Sequence, residues 1–171
     1  MIKRSIIAGY LIGLSSYIYL ACSNKIVGAA LFGLGLLTIC TFRLRLFTGM
    51  IGEAKLNNIT DCALVFLENA FGVMLAILMF KLLPGYISAG IVCGSLMQMG
   101  VSLYRKHPWA TVMCVMAFLL SSAKHCIAML YSIEPTQISW WIIFALTVTG
   151  NIIGAKVVAF GGVRKESEND R

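Results

Sequence analysis

The sequence predicts an all-α membrane protein with six transmembrane helices, on three observations. Of the 171 residues, 59% are hydrophobic and only 12% are charged. Soluble domains carry about 25% charged residues, about twice the fraction found here. The mean hydropathy is +0.86, and a soluble domain of this length cannot bury so much apolar surface. The apolar residues also fall into six long runs. These observations exclude a cytosolic enzyme, a disordered tail and a free nucleic-acid-binding protein.

The six apolar runs set the domain organisation. A helix needs about 20 apolar residues to cross the hydrocarbon core of a bilayer. Runs of this kind occupy residues 5–22, 26–42, 62–83, 86–103, 109–133 and 139–163. They leave only short loops, so the sequence predicts one transmembrane domain over residues 1–171. Residues 164–171 form a polar tail, which we expect to be cytoplasmic.

Lysine and arginine are concentrated on one side of the predicted membrane. With the N-terminus inside, the outer loops hold only Lys25 and Lys81. The inner segments hold eight basic residues: Lys3, Arg4, Lys55, Arg105, Lys106, Arg164, Lys165 and Arg171. Cytoplasmic segments of membrane proteins carry the excess of Lys and Arg. We therefore expect a multi-pass protein of the plasma (inner) membrane with both termini in the cytoplasm.

Four further basic residues lie within or beside the predicted spans: Arg43, Arg45, Lys124 and Lys156. A charge inside the membrane is costly, so each is by default a hypothesis about function. Snorkelling of a long side chain to the helix end is an alternative explanation for Arg43 and Arg45. A buried structural pair of Glu68 with Lys124 or Lys156 is a second alternative.

The sequence contains no signature of an enzyme. The six cysteines lie in or at the edges of spans, without the spacing of metal ligands or of a redox pair. We expect them to pack as small apolar side chains. There is no glycine-rich phosphate loop, no pair of carboxylates and no Ser/His/Asp order. The prediction is therefore a protein without catalytic residues, metal or cofactor.

Two sequence patterns recur in the two halves of the chain. The third and sixth runs both contain Asn-x-x-Gly, beginning at Asn69 and Asn151, 82 residues apart. A pattern of basic, large, variable, β-branched, small and Met residues begins at Arg45 and again at Lys124, 79 residues apart. Three spans per repeat is an odd number, so the halves, about 1–84 and 85–163, must insert with opposite topology. Inverted repeats of this kind place a solute site near the membrane midplane.

The same segments resemble the formate/nitrite transporter family. Leu46-Phe47-Thr48-Gly49 resembles the family's loop after the second helix, and His125-Cys126-Ile127-Ala128-Met129 resembles its fifth-helix segment. Gly150-Asn151-Ile152-Ile153-Gly154 resembles its sixth-helix motif. The matches follow one another in order over essentially the whole membrane region. The chain is similar to a short, divergent member of this family.

The resemblance implies an aquaporin-like fold in which the second and fifth helices are broken. It also implies a homopentamer with one pore per protomer and passage of small monovalent anions or their weak acids, such as formate, nitrite or hydrosulfide. Thr48 and His125 would meet at the pore centre and hydrogen-bond the anion. Leu46, Phe47 and Gly49 would lie beside them. Asn69 and Asn151 would hold the broken helices in shape.

The chain departs from the family at matched positions. Arg45 and Lys124 stand where the family has Glu, and Met50 and Met129 stand where it has Asn. We expect Lys124 and Arg45 to supply a positive field for the anion, and His125 to act mainly as a neutral hydrogen-bond donor. This predicts anion conduction that is less coupled to protons. Two alternatives stay open: a non-conducting structural or assembly protein that retains the fold, and a channel for a small neutral solute.

Overall fold

The computed structural model describes residues 2–55 and 58–163, and within these ranges it is helical without β-strands. The predicted polar tail, residues 164–171, lies outside the described residues. The helices, in chain order, are α1 (Ile2–Ala21), α2 (Lys25–Thr41), α3 (Phe47–Ile51), α4 (Ile59–Ile77), α5 (Gly85–Leu103), α6 (Pro108–Leu120), α7 (Cys126–Met129) and α8 (Ile138–Val158). A π-helical turn continues α4 over Leu78–Leu82, and another continues α8 over Ala159–Val163. A 3₁₀ turn continues α7 over Leu130–Ser132.

Local sequence signals account for several helix boundaries. The Asn24 side chain caps α2, because its Oδ1 accepts from the N–H groups of Ile26 and Val27 at 2.9 and 3.1 Å. Pro108 occupies the first turn of α6, where its missing N–H costs nothing. Pro84 separates the end of the fourth helix from α5. These boundaries follow the predicted limits of the apolar runs.

Three helical stretches are long and apolar enough to cross a membrane: Ile59–Leu82, Gly85–Leu103 and Ile138–Gly161. This agrees with the prediction of an all-α membrane protein. The helices α2 and α6 are shorter, with 17 and 13 residues, because the second and fifth apolar runs are interrupted. The outer faces of the three long stretches expose large apolar side chains such as Leu67, Phe71 and Ile152, which suits contact with lipid.

Two helix pairs form the largest contacts, α1 with α4 and α5 with α8. A Cβ on Gly9 would overlap the carbonyl oxygen of Asn69, and one on Gly13 would overlap the Ala76 side chain. These contacts advance along both helices together, so α1 and α4 run parallel. Only a glycine lets the two backbones approach this closely.

The second pair repeats this arrangement. A Cβ on Gly94 would overlap the carbonyl oxygen of Asn151, and one on Gly90 would lie 2.7 Å from that of Thr147. The helices α5 and α8 therefore also run parallel. Gly161, after α8, packs against Ile7 near the start of α1. The beginning of α1 and the end of α8 thus lie at the same end of the bundle.

The core of the bundle is formed by α1 and α5. In α1, Tyr10, Leu11 and Leu14 are completely buried, and α5 buries most of its length. The hydroxyls of Tyr10 and Ser95 form a buried hydrogen bond of 2.7 Å between the two helices. The other helices pack around this centre, so the interrupted helices are supported from both sides.

Candidate functional site

The second apolar run is interrupted directly after α2. Phe42 caps the helix, and Arg43 follows with a φ of +50°, in the left-handed region. The N–H groups of Arg43 and Leu44 donate to the carbonyl oxygens of Cys40 and Ile39, at 3.2 and 2.9 Å. This pair of bonds is the Schellman motif, which ends a helix and turns the chain away from its axis.

The fifth apolar run is interrupted after α6 in the same way. Ser121 caps the helix, and Ser122 follows with a φ of +55°. The N–H groups of Ser122 and Ala123 donate to the carbonyl oxygens of Leu119 and Phe118, at 3.2 and 2.9 Å. Each residue of this motif lies 79 positions after its counterpart in the first break. The two basic patterns have the same spacing.

Both breaks place a residue with a side chain in a conformation that favours glycine. Arg43 and Ser122 are the described non-glycine residues with positive φ. Such a conformation costs about 1–2 kcal/mol for a residue with a Cβ. Strain of this kind persists only where the surrounding bonds hold it, and it concentrates at functional segments. The matched strain makes the two breaks the strongest candidates for a functional site.

Asn69 in α4 holds the first break. Its Oδ1 accepts from the Phe47 N–H at 2.8 Å, and its Nδ2 donates to the carbonyl oxygens of Arg45 and Ser5, at 3.0 and 2.7 Å. Asn69 is buried. The extended segment before α3 has no helical partners for these backbone groups, so the side-chain amide supplies them. The same amide also ties the break to α1.

Asn151 in α8 holds the second break with the same set of bonds. Its Oδ1 accepts from the Cys126 N–H at 3.0 Å, and its Nδ2 donates to the carbonyl oxygens of Lys124 and Gly90, at 2.9 and 3.0 Å. A further bond joins the Lys124 N–H to the carbonyl oxygen of Ala89 in α5, at 3.1 Å. Each asparagine thus joins a helix break to the first helix of its own half.

The two matched basic residues have different electrostatic surroundings. Arg45 forms an ion pair with Asp61 in the first turn of α4, where the helix dipole also favours a carboxylate. The ammonium of Lys124 lies 5.9 Å from the ring centroid of Tyr86, a cation–π contact. Within the described ranges, Lys124 has no ion-pair partner. The positive charge of Arg45 is therefore compensated by Asp61, whereas the charge of Lys124 has no carboxylate partner within the described ranges.

Thr48 is exposed and lies at the second position of α3, where it lines two cavities. The larger cavity, about 500 Å³, includes the side chains of Arg43, Leu46 and Met50. The smaller, about 220 Å³, includes Leu46 and Asn69. A hydroxyl donor therefore shares a cavity with a guanidinium group, an arrangement that can bind an anion.

The other residues of the Leu-Phe-Thr-Gly segment surround these cavities. Phe47 lines the smaller cavity and contacts Phe66 edge to face, with ring centroids 5.3 Å apart. Gly49 lines the larger cavity, and a Cβ at this position would meet no atom within 4 Å. The segment thus presents one side to open space and packs on α4 with the other.

His125 is half-buried and directly precedes α7. Its Nδ1 accepts a hydrogen bond from the Ala128 N–H at 3.3 Å, and its ring centroid lies 6.1 Å from that of Phe118. An Nδ1 that accepts a hydrogen bond leaves Nε2 as the N–H donor in the neutral imidazole. Such a ring can donate a hydrogen bond to an anion without carrying charge.

The described contacts do not bring Thr48 and His125 together. The two cavities that Thr48 lines are built from residues of the first half, and neither includes a residue of α7. No hydrogen bond joins the two side chains among the described residues. A shared binding position for the two groups therefore stays a prediction.

The pairing of Glu68 with a lysine, an alternative from the sequence, is wrong. Glu68 is buried in α4 and its Oε2 has no hydrogen-bond partner. Lys124 instead contacts Tyr86, and Lys156 is exposed at the far end of α8. Glu68 lies in α4 and Lys156 in α8, and no ion pair of Glu68 is found within the described ranges.

The comparisons with known proteins return no relative. No protein-family model, no curated protein and no solved structure matches this chain. The resemblance to formate/nitrite transporters therefore depends on the motifs quoted above.

Sequence reasoning missed several residues of the site. Asp61 is the partner of Arg45, and a carboxylate in the first turn of a helix beside a basic loop is a signal that could have found it. Tyr86 and Phe118 contact Lys124 and His125, but no spacing in the sequence indicates these contacts. They arise because α5 and α6 pack beside the second break.

Proposed function

We propose that the chain is a membrane channel for small monovalent anions or their weak acids. In this proposal, two halves of three transmembrane helices each insert with opposite topology, and each half contains one broken helix. The observation that carries the proposal is the matched pair of asparagine ties at the breaks, Asn69 and Asn151. Irregular backbone at membrane depth is tolerated where it is buried or lines a cavity.

The arrangement of the helices supports opposite insertion of the halves. The first half pairs α1 with α4 in parallel, the second pairs α5 with α8 in parallel, and the start of α1 meets the end of α8. An inverted repeat requires these relationships. The helices α2 and α6 with the short α3 and α7 would then be the broken second and fifth helices of an aquaporin-like fold. Their breaks would approach the midplane from opposite sides.

The side chains around the breaks suit an anion. A small anion that leaves water faces a large desolvation cost, which hydrogen-bond donors and positive charge reduce. Thr48 offers a hydroxyl beside Arg43 in a cavity of about 500 Å³. His125 offers its Nε2–H, and Lys124 supplies a charge without a carboxylate partner. We assign Thr48 and His125 as anion-binding residues and Lys124 as the main source of positive potential.

Orientation and assembly are part of the same proposal. The excess of Lys and Arg at one end of the bundle favours cytoplasmic termini. That end includes Arg4 at the start of α1 and Arg105 and Lys106 after α5. A homopentamer with one pore per protomer follows from the family resemblance.

Flux into liposomes tests the proposal. Purified protein would be reconstituted, and the uptake of formate, nitrite, hydrosulfide and chloride measured with and without a pH gradient. We expect saturable anion flux that falls at least tenfold in Thr48→Val, which keeps the shape and removes the hydroxyl. Thr149→Val is the matched control: Thr149 is also exposed, and its hydroxyl bonds only within α8, to the Ala145 carbonyl oxygen at 2.9 Å. Equal loss in both variants, or no flux in any condition, would contradict the proposal.

A second candidate function is a non-conducting membrane protein that retains the fold. One observation favours it: the cavities beside Thr48 include no residue of α7, so a continuous passage is not formed by these cavities. A channel for a small neutral solute is the remaining possibility, and it is tested by measuring the osmotic shrinkage of liposomes in the presence of small neutral solutes. Solute flux without anion flux would indicate a neutral-solute channel, and the absence of both would indicate the structural role.

A further inference from the structure

An apolar groove lies between the start of α1, the last turn of α4 and the end of α8. It has a volume of about 300 Å³ and is lined by Ile6, Ile7, Leu75, Lys156, Val157 and Phe160. Every lining residue except Lys156 is apolar. The groove is separate from both helix breaks, and the proposed channel function does not use it.

Lys156 is the unusual member of this groove. It lies two residues before the end of α8, and its side chain is exposed. Glu68, its alternative carboxylate partner from the sequence, forms no ion pair with it, and the Oε2 of Glu68 has no hydrogen-bond partner. Within the described part of the chain, the ammonium of Lys156 has no hydrogen bond or ion pair. A lysine beside an apolar groove of a membrane protein is costly unless an anion or water meets its charge.

The groove lies at the end of the bundle that the sequence makes basic. Gly161 packs on Ile7, so the end of α8 lies beside the first turns of α1. Lys3 and Arg4 begin α1. Lys156 is seven residues before Val163, or about 10 Å along the helix axis. A lysine stem can extend from this depth toward the headgroup region.

We propose that this groove binds one acyl chain of an anionic phospholipid whose phosphate pairs with Lys156. An apolar groove accepts the hydrocarbon chain, and the single cation at its edge complements the charge of the headgroup. Basic pockets between transmembrane helices on the cytoplasmic side select anionic lipids in this way. The lining explains why a lipid fits better than a free phosphate ion, because Lys156 is the one polar side chain among the described lining residues. This proposal does not depend on transport.

Native mass spectrometry of the full chain, released from mixed micelles, tests the proposal. The micelles would contain phosphatidylglycerol and phosphatidylcholine with identical acyl chains, and the ratio of the two bound lipids is the readout. One lysine near an anionic surface changes the binding of an anionic lipid by about fivefold. We expect Lys156→Met to lower the preference for phosphatidylglycerol by about that factor, and Lys156→Arg to keep it.

Lys106→Met is the matched control. Lys106 lies at the same basic end of the bundle, but its ammonium lies 5.9 Å from the Phe42 ring, away from the groove. We expect this variant to keep the lipid preference. The proposal is wrong if Lys106→Met and Lys156→Met lower the preference equally, since the effect would then be one of general surface charge. It is also wrong if removal of residues 164–171 raises lipid binding more than fivefold, because that tail would then be the occupant.

Discussion

The hydroxyls of Tyr10 and Ser95 lie 2.7 Å apart in the centre of the bundle and form a buried hydrogen bond between α1 and α5. The two residues are 85 positions apart. The same spacing separates Ser5 from Gly90, whose carbonyl oxygens accept from Asn69 and Asn151 respectively. Tyr10 and Ser95 thus occupy corresponding positions of the two halves. Their hydrogen bond therefore joins corresponding positions of the two halves at the contact between α1 and α5.

Removing both of these hydroxyls should destabilise the protein by less than the two single removals added together. Tyr10→Phe and Ser95→Ala each leave the other hydroxyl buried without its partner, which costs about 1–3 kcal/mol. We expect the double variant to be less destabilised than the sum of the single variants. Unfolding by denaturant in detergent micelles measures the three free energies. Strict additivity would show that the hydroxyls do not interact.

The asparagine ties should be among the most sensitive polar positions of the chain. Asn69→Ala and Asn151→Ala each remove three hydrogen bonds to backbone groups, two at a break and one in the first helix of the same half, and we expect a loss of about 2–4 kcal/mol. Asn24→Ala is the control, because Asn24 caps α2 at an exposed position and its loss should cost about 1 kcal/mol. Thermal unfolding in detergent ranks the variants. Equal effects at all three positions would contradict a special role for the ties.

Alanine at the close helix contacts should have the opposite effect to alanine at an open position. A Cβ on Gly72 would overlap the carbonyl oxygen of Ile6, and one on Gly154 would overlap that of Ile91. We expect each alanine variant to unfold more easily, by about 1–3 kcal/mol. Gly33→Ala meets no atom within 4 Å and should stabilise α2 slightly. Destabilisation by Gly33→Ala of similar size would show that the contacts are not the cause.

Neutralising Asp61 should increase the selectivity for anions. Asp61 compensates the charge of Arg45, so Asp61→Asn leaves that guanidinium unpaired beside the first break. We expect the permeability ratio of chloride to potassium, measured from reversal potentials in planar bilayers, to rise several-fold. Glu53→Gln is the control, since Glu53 is an exposed carboxylate in the loop before α4. A rise of the same size in that variant would indicate a general change of surface potential.

Reversing the charge of Lys124 should strengthen the coupling of flux to protons. Lys124→Glu replaces the positive charge beside His125 with a negative one, which raises the cost of moving a bare anion past it. The neutral acid would then carry more of the flux. We expect formate uptake by the variant to depend more steeply on external pH than uptake by the wild type. Identical pH profiles would remove Lys124 from the conduction path.

The recurring sequence patterns predicted positions that correspond in detail in the folded chain. The Asn-x-x-Gly spacing indicated Asn69 and Asn151, and both side chains bond to the breaks in the same way. This was possible because an asparagine inside an apolar helix needs partners, and its repetition points to a shared geometry. The all-helical class followed from the composition together with the length of the apolar runs.

Other features could not be obtained from the sequence. The run 109–133 is apolar apart from the short polar segment around Lys124 and His125, so hydropathy alone does not place the end of α6 at Leu120. A left-handed residue after a helix is usually glycine, so Arg43 gave no such signal. The contact of Lys124 with Tyr86 depends on the packing of α5 beside the second break, which residue spacing does not encode. The shared position of Thr48 and His125 stays a prediction.

The asparagine ties also impose an order on biogenesis. The N–H groups of Phe47 and Cys126 donate to asparagine side chains that are synthesised 22 and 25 positions later. At 5–20 residues per second, each interrupted segment waits roughly one to five seconds at the translocon before its partner helix emerges. During that interval its backbone polar groups must remain in contact with water or with the insertion machinery. The backbone groups at each break therefore find their asparagine partner only after the last helix of the same half has begun to emerge.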